Sequence, residues 1–212
     1  MPRPGLQWRH VIVSTYASWL PGDPRGFRSQ DHKIHSSGDY QAPPPEGEHE
    51  GLHEYSKKMS GGAVLIPANL REVVGRAFLA KLQQKEMRVL ALSVAGMHVH
   101  ILAELPELFQ RMHTIVGECK VAACLAVRKQ MPGRLWARHG KFKLVDNPEY
   151  QKRVYKYILR QEGAWLWSFV DEDDIPATPP PNGSGIENVD ELNAPETSPL
   201  PDGDASETMN DS

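Results

Sequence analysis

A chain of 212 residues, 40% hydrophobic, is long enough for one domain with a sizeable core, and its net charge of −3 conceals an asymmetry. Residues 171–212 hold twelve of the 27 Asp and Glu and no Lys or Arg, which leaves residues 1–170 with about nine more basic than acidic groups. Such a body suits a polyanionic partner, nucleic acid first, or a plain solvated basic surface. The two cysteines, Cys119 and Cys124, have neither zinc-site nor disulfide-framework spacing. The N-terminal residues lack the apolar stretch of a signal peptide and no uncharged run approaches membrane length, so a soluble cytoplasmic protein is expected.

Taken in order, His10 to Tyr16 is β-branched and aromatic and predicts a first strand from Trp8. Trp19 to Gly26 then packs two prolines and two glycines into eight residues, a shaped loop. It opens an aperiodic excursion over about 20–66, broken only by a short helix near Leu52 to Met59; loops of that length in compact domains are usually functional or mobile. His32, His35, His49 and His53 fall in it at irregular spacing and receive no role. Asn69, with Glu72 three residues on, reads as the cap of a helix to about Glu86 whose stripe is Leu70, Val73, Val74, Ala77 and Phe78.

Val89 to Val94 and Met97 to Ile101, joined by Ala95-Gly96, predict a hairpin. In the second strand the period of two puts His98 and His100 on one face, aimed at the same point, either as a polar sheet face or as a pair of ligands. Pro106 suits the first turn of the next helix, which Gly117 could divide in two before Pro132-Gly133. Leu135 to Ala137 and Lys141 to Val145 alternate like a strand or hairpin, and Asn147-Pro148 starts a last helix running to Gln161 or Glu162. Beyond the aromatic segment Trp165 to Phe169, residues 171–212 lack apolar surface to bury and are expected to be a disordered acidic tail. Such a tail could mimic DNA and lower non-specific binding.

The last helix buries Val154 and Ile158, and at about 100° per residue Tyr157 and Gln161 stack on the edge of that face. A phenol and a carboxamide oxygen so placed suit a nucleophile beside a metal ligand, or simply a rim aromatic packing on the sheet. Tyr150 and Tyr155 share the helix as rival nucleophiles, with spacing favouring Tyr157. Lys152, Arg153, Lys156 and Arg160 stripe its outer faces, Lys141 and Lys143 precede it, and together they are the candidate nucleic-acid-binding residues.

His98-Val99-His100, followed about sixty residues later by Tyr157-Ile158-Leu159-Arg160-Gln161, resembles the single-tyrosine HUH transposases, including the REP-associated tyrosine transposases. The element order agrees, and the resemblance covers about Leu6 to Trp167 without most of the excursion. It implies a ferredoxin-like α+β domain over residues 6–170, an antiparallel sheet with helices packed on it, acting as a homodimer on single-stranded DNA hairpins. His98, His100 and Gln161 would be the metal ligands and Tyr157 the nucleophile of a strand-cleaving and strand-joining reaction through a 5′-phosphotyrosine. Two imidazoles and an amide oxygen suit Mg²⁺ or Mn²⁺ without excluding Zn²⁺. Trp8, Trp19 and Trp136 are candidates for base stacking or, as the simpler reading, core residues. The competing readings are a domesticated, non-catalytic nucleic-acid binder of the same fold and a metal-dependent hydrolase, for which Glu104 is the nearest carboxylate if its strand continues past Ala103.

Overall fold

In the computed structural model, which describes residues 2–29, 33–39 and 41–169, the chain runs β1 (Leu6–Thr15), α1 (Glu50–Ser60), α2 (Ala68–Gln84), β2 (Val89–Val94), β3 (His98–Pro106), α3 (Phe109–Val127), β4 (Trp136–Leu144), α4 (Pro148–Leu159) and β5 (Trp165–Ser168). All strand pairs are antiparallel, in the order β4-β1-β3-β2-β5. The β1-α2-β2-β3-α3-β4 portion with order 4-1-3-2 is the ferredoxin-like split βαβ arrangement. To it are added α1 in the excursion, α4, and β5 on the outer edge of β2. No helix among the described residues is long and apolar enough to cross a membrane.

Period-two alternation divides the sheet into two unlike faces. Val11, Val13, Leu92, Val94, Val99, Ile101 and Leu105 point to one side, where Leu70, Val74, Phe78 and Leu82 of α2 and Met112, Val116 and Cys119 of α3 cover them. Each fully buried Leu or Phe there contributes roughly 1.5–3 kcal/mol of transfer free energy. On the other side Ala91 and Leu102 form a smaller cluster with Val154 and Ile158 of α4 and with Val145, against which Trp8 and Leu90 also pack. That second layer is thin, and it leaves room for polar side chains between helix and sheet.

Several local expectations change. Gly117 does not divide α3: a side chain there would meet open space, and the burial of Met112, Val116, Cys119, Ala123 and Val127 along one stripe outweighs the roughly 1 kcal/mol a helical glycine costs. Pro106 ends β3 instead of starting a helix, because the pairing with β1 continues to Leu6. Of the two readings of the segments around Trp136 and Phe142, strand or hairpin, the structure has the single strand, with a register shift opposite Val13 to Thr15. Pro67 occupies the cap position of α2, so Asn69 and Glu72 lie in its first turns without a side-chain cap. Trp165 to Ser168, read only as aromatic, is an edge strand whose Trp165 and Trp167 pack against the main core. The expected acidic tail from 171 lies outside the described residues.

Within the excursion, Asp23 is buried and holds Arg25 by Nε–Oδ1 (2.8 Å) and Nη2–Oδ2 (2.5 Å) contacts, which set the guanidinium 4.9 Å over the Trp19 ring. The loop docks on the start of α1. A Cβ on Gly22, whose φ is +81°, would fall 2.6 Å from His49 O and His53 N, so glycine is required by both conformation and space. His49 has a structural partner in Ser36 Oγ at 2.7 Å, and His32 lies outside the described residues. Cys119 is buried, its thiol pushed up to about 12 chiefly by that burial, which makes it an inert core group.

Candidate active site beneath helix α4

The face of the sheet under α4 is polar along one line. In register, Ser14 pairs with His98, Ile12 with His100 and His10 with Leu102, while Lys141 and Lys143 pair with Ile12 and His10 from the other side. His10, His98, His100, Lys141 and Lys143 therefore share the face that α4 crosses. His10 and His100 are buried, His98 is half-buried and Lys143 is buried beside His10.

The expected quartet converges. His98 Nε2 lies 3.3 Å from Gln161 Oε1, the His98 and His100 ring centroids are 4.7 Å apart at 75°, and the Tyr157 ring stands edge-on to His100 at 5.2 Å. Gln161 is not on the helix, however: α4 closes at Leu159, and Gln161 sits in the following turn with its Nε2 folded back to the Tyr157 carbonyl at 3.4 Å. Gly163, with φ +66°, then reverses the chain into β5. Asn147 caps the other end of α4, accepting the Tyr150 amide at 2.8 Å, with Pro148 in the first turn.

The rival tyrosines are engaged elsewhere. The Tyr155 hydroxyl is hydrogen-bonded to Ser168 Oγ, and Tyr150 lies under the Arg153 guanidinium, 5.4 Å from its ring centre. Of the three, only Tyr157 stands over the imidazoles.

One member of the cluster escapes a reading of the sequence. His10 is fully buried, its Nε2 is 3.0 Å from His100 Nδ1, and the two rings stack at 5.2 Å and 27°. Burial, and secondarily the Lys143 ammonium, lower its pKa to about 4. Burial likewise holds His100 well below the ordinary imidazole range, with His10 and His98 adding to the effect. Both rings are thus neutral at pH 7, the form that can ligate a metal. The available sign is the alternation of His10, Ile12 and Ser14 opposite Leu102, His100 and His98, which becomes readable only once the β1–β3 register is known.

The residues fit a divalent metal. Two donor atoms bound to one ion at about 2.0–2.2 Å stand about 3 Å apart at right angles, close to the 3.3 Å between His98 Nε2 and Gln161 Oε1. Among the described residues no three His, Cys, Asp or Glu side chains gather around one point, so a metal held here would need the Gln161 amide oxygen beside the imidazoles. Glu104 shares the face of His100, but Arg88 binds its carboxylate at 2.6 and 2.8 Å and Arg3 at 2.7 Å. The hydrogen bonds from Arg88, then those from Arg3, bring its pKa down to about 2, so it is no general base for water.

Of the basic candidates, Lys152, Arg153, Lys156 and Arg160 are exposed along α4, and Lys141 is exposed on β4. Lys143 differs: at 8% exposure it is part of the site's interior, where it acts on His10, and is not on the outer stripe. Among the stacking candidates Trp136 is buried, its Nε1 donating to the Lys120 carbonyl, Trp8 is half-buried with the Arg88 guanidinium over it, and only Trp19 is exposed.

No protein-family model matches the chain, and no curated protein matches it. Among solved structures it is similar to a REP-associated tyrosine transposase bound to a REP hairpin, at 14% identity and a TM-score of 0.40 over 74% of this chain and 67% of that one. That likeness is a weak one of fold. What the structure defines is a ferredoxin-like α+β domain with an imidazole, amide and phenol cluster between its sheet and its fourth helix.

Proposed function

We propose that this protein cleaves and rejoins single-stranded DNA through a 5′-phosphotyrosine link on Tyr157, with Mg²⁺ or Mn²⁺ held by His98, His100 and Gln161. The observation that supports it best is the meeting of His98 and Gln161 at 3.3 Å with Tyr157 edge-on to His100, which brings strand β3 together with the end of α4, about sixty residues further along the chain. The bound cation would neutralise a non-bridging phosphate oxygen and ease attack on an anionic diester. His98 and His100 would present ring nitrogens from the central strand β3, and Gln161 would add its amide oxygen from the turn after α4.

The Tyr157 oxygen attacks phosphorus and the P–O3′ bond breaks; the phenolic proton is given up to solvent, and solvent returns one proton to the departing 3′ oxygen, which leaves as a hydroxyl. The phosphodiester energy is retained in the tyrosyl link, so a 3′-hydroxyl can reverse the step and join strands without a nucleotide cofactor. Exposed Lys152, Arg153, Lys156 and Arg160 give α4 a positive flank along which a phosphate backbone can lie. In this reading the substrate is a DNA hairpin with single-stranded flanks and the working form is a homodimer.

The test is covalent capture. Protein mixed with labelled single-stranded hairpins and Mn²⁺, then denatured, should retain label, and Tyr157→Phe should not. Hairpin binding without any adduct in the parent protein would replace this reading with that of a non-catalytic nucleic-acid binder.

A further inference from the structure

His10 has no task in the mechanism above, yet it is fully buried against a proposed ligand. It lies on β1, across from Lys143 on β4 and diagonal to His100 on β3, so two neighbouring strands fix its place. The 3.0 Å contact between His10 Nε2 and His100 Nδ1 needs one proton between two nitrogens, and two arrangements satisfy it. If His10 donates, His100 accepts at Nδ1 and must carry its proton on Nε2. If His10 accepts, His100 carries the proton on Nδ1 and its Nε2 lone pair is open. A histidine that binds a metal through one nitrogen commonly donates its other N–H to a fixed acceptor, which sets both tautomer and ring orientation.

We infer that His10 is a positioning residue: its Nε2 accepts the Nδ1–H of His100 and locks that imidazole in the tautomer whose Nε2 is available to a divalent cation. The inference rests on the reading of His100 as a ligand. It also accounts for the stacking, since rings 27° from parallel with centroids at 5.2 Å restrict rotation of His100 about its χ2 angle. His10 Nδ1 then carries a proton and has no hydrogen-bond partner among the described residues, so the lock is held against an unsatisfied buried donor. A purely structural residue at this position would be better apolar, as Leu102 is beside it. His10 instead brings one good acceptor to His100.

The deciding experiment is ¹⁵N NMR of the imidazoles in the metal-free protein at neutral pH, joined to Mn²⁺ titration. The parent should show His100 protonated at Nδ1 with Nε2 bare. His10→Phe, which keeps a ring but no acceptor, should lose that preference and weaken Mn²⁺ binding by about 10–100-fold. His10→Gln, whose amide oxygen can accept in place of Nε2, should recover most of the affinity. A parent His100 protonated at Nε2, or equal Mn²⁺ affinities in the parent and His10→Phe, would overturn the inference. Should His10→Phe not fold, the parent spectrum and His10→Gln still decide. Covalent capture judges the reaction separately: a parent that forms no adduct but shows Nδ1–H on His100, lost in His10→Phe, keeps the lock and removes the proposed function.

Discussion

Glu104 and His100 stand on the same face of β3, four residues apart, yet the carboxylate belongs to a different network, closed by Arg3 and Arg88. With its pKa at about 2 against an ordinary 4.5, the unfolded chain takes up this proton first as pH falls. Its contribution to stability is therefore complete above about pH 4.5 and is lost between there and about pH 2. The amount is at most about 3 kcal/mol, and less because both guanidinium groups are half-exposed and screened. Denaturant melts across that window should show the slope in the parent and a flatter one in Glu104→Gln. Under the proposed reaction Glu104→Gln forms adduct normally, whereas a hydrolase with Glu104 as base would lose turnover.

Substitutions in α4 should separate chemistry from packing. Tyr157→Phe should abolish adduct formation while leaving hairpin affinity within about twofold, because the ring and its contacts to His10 and His100 stay. Tyr155→Phe should leave the adduct intact and cost roughly 1 kcal/mol, the worth of its hydrogen bond to Ser168. The opposite pattern would move the nucleophile to Tyr155.

Chelation offers a metal test independent of mutation. Removing divalent ions with EDTA should stop adduct formation and leave hairpin binding, and Mn²⁺ or Mg²⁺ should restore it. His98→Ala and Gln161→Ala should each raise the metal concentration needed for half-maximal adduct by about tenfold or more.

The exposed cations of α4 are expected to act by pairing with phosphates. Replacing Lys152 and Lys156 with Gln should weaken hairpin binding and reduce the slope of log K against log salt by about 0.7 for each single-strand phosphate that is no longer neutralised. Lys143→Gln, changing a buried cation beside His10, should instead leave the salt slope unchanged and disturb the site.

Much of this architecture can be read from residue pattern alone. The His98 hairpin strand, the Asn147-Pro148 helix start, and the inward Val154 and Ile158 each follow from short-range periodicity and capping, and each stands where that logic puts it. The elements that differ are those decided by tertiary contact. Trp165 to Ser168 is too short to announce itself and becomes a strand because the edge of β2 is open to it. Gln161 joins His98 not by helical spacing but by a turn after α4, and His10 joins His100 by cross-strand register. Neither relation exists in one segment of the sequence.

Gly75 on α2 faces the ring of Trp165, and an ideal Cβ there would collide with ring atoms Cζ3 and Cε3. Gly75→Ala would gain about 1 kcal/mol in helix propensity but must displace that ring, for a net loss of about 1–2 kcal/mol. Combining it with Trp165→Leu should recover part of the loss, which thermal melts of the two single variants and the double variant would measure.

That close approach bears on the site from the far side of the sheet. Only three residues separate Gln161 from Trp165, and Arg71 of α2 donates to the carbonyl of Gly163 between them. The amide facing His98 is thus tethered to a four-residue strand clasped by α2, and whatever frees that strand from β2 slackens the tether on Gln161 as well. The edge of the sheet is in this sense the clasp of the site, and its grip sets how constantly the Gln161 amide faces His98.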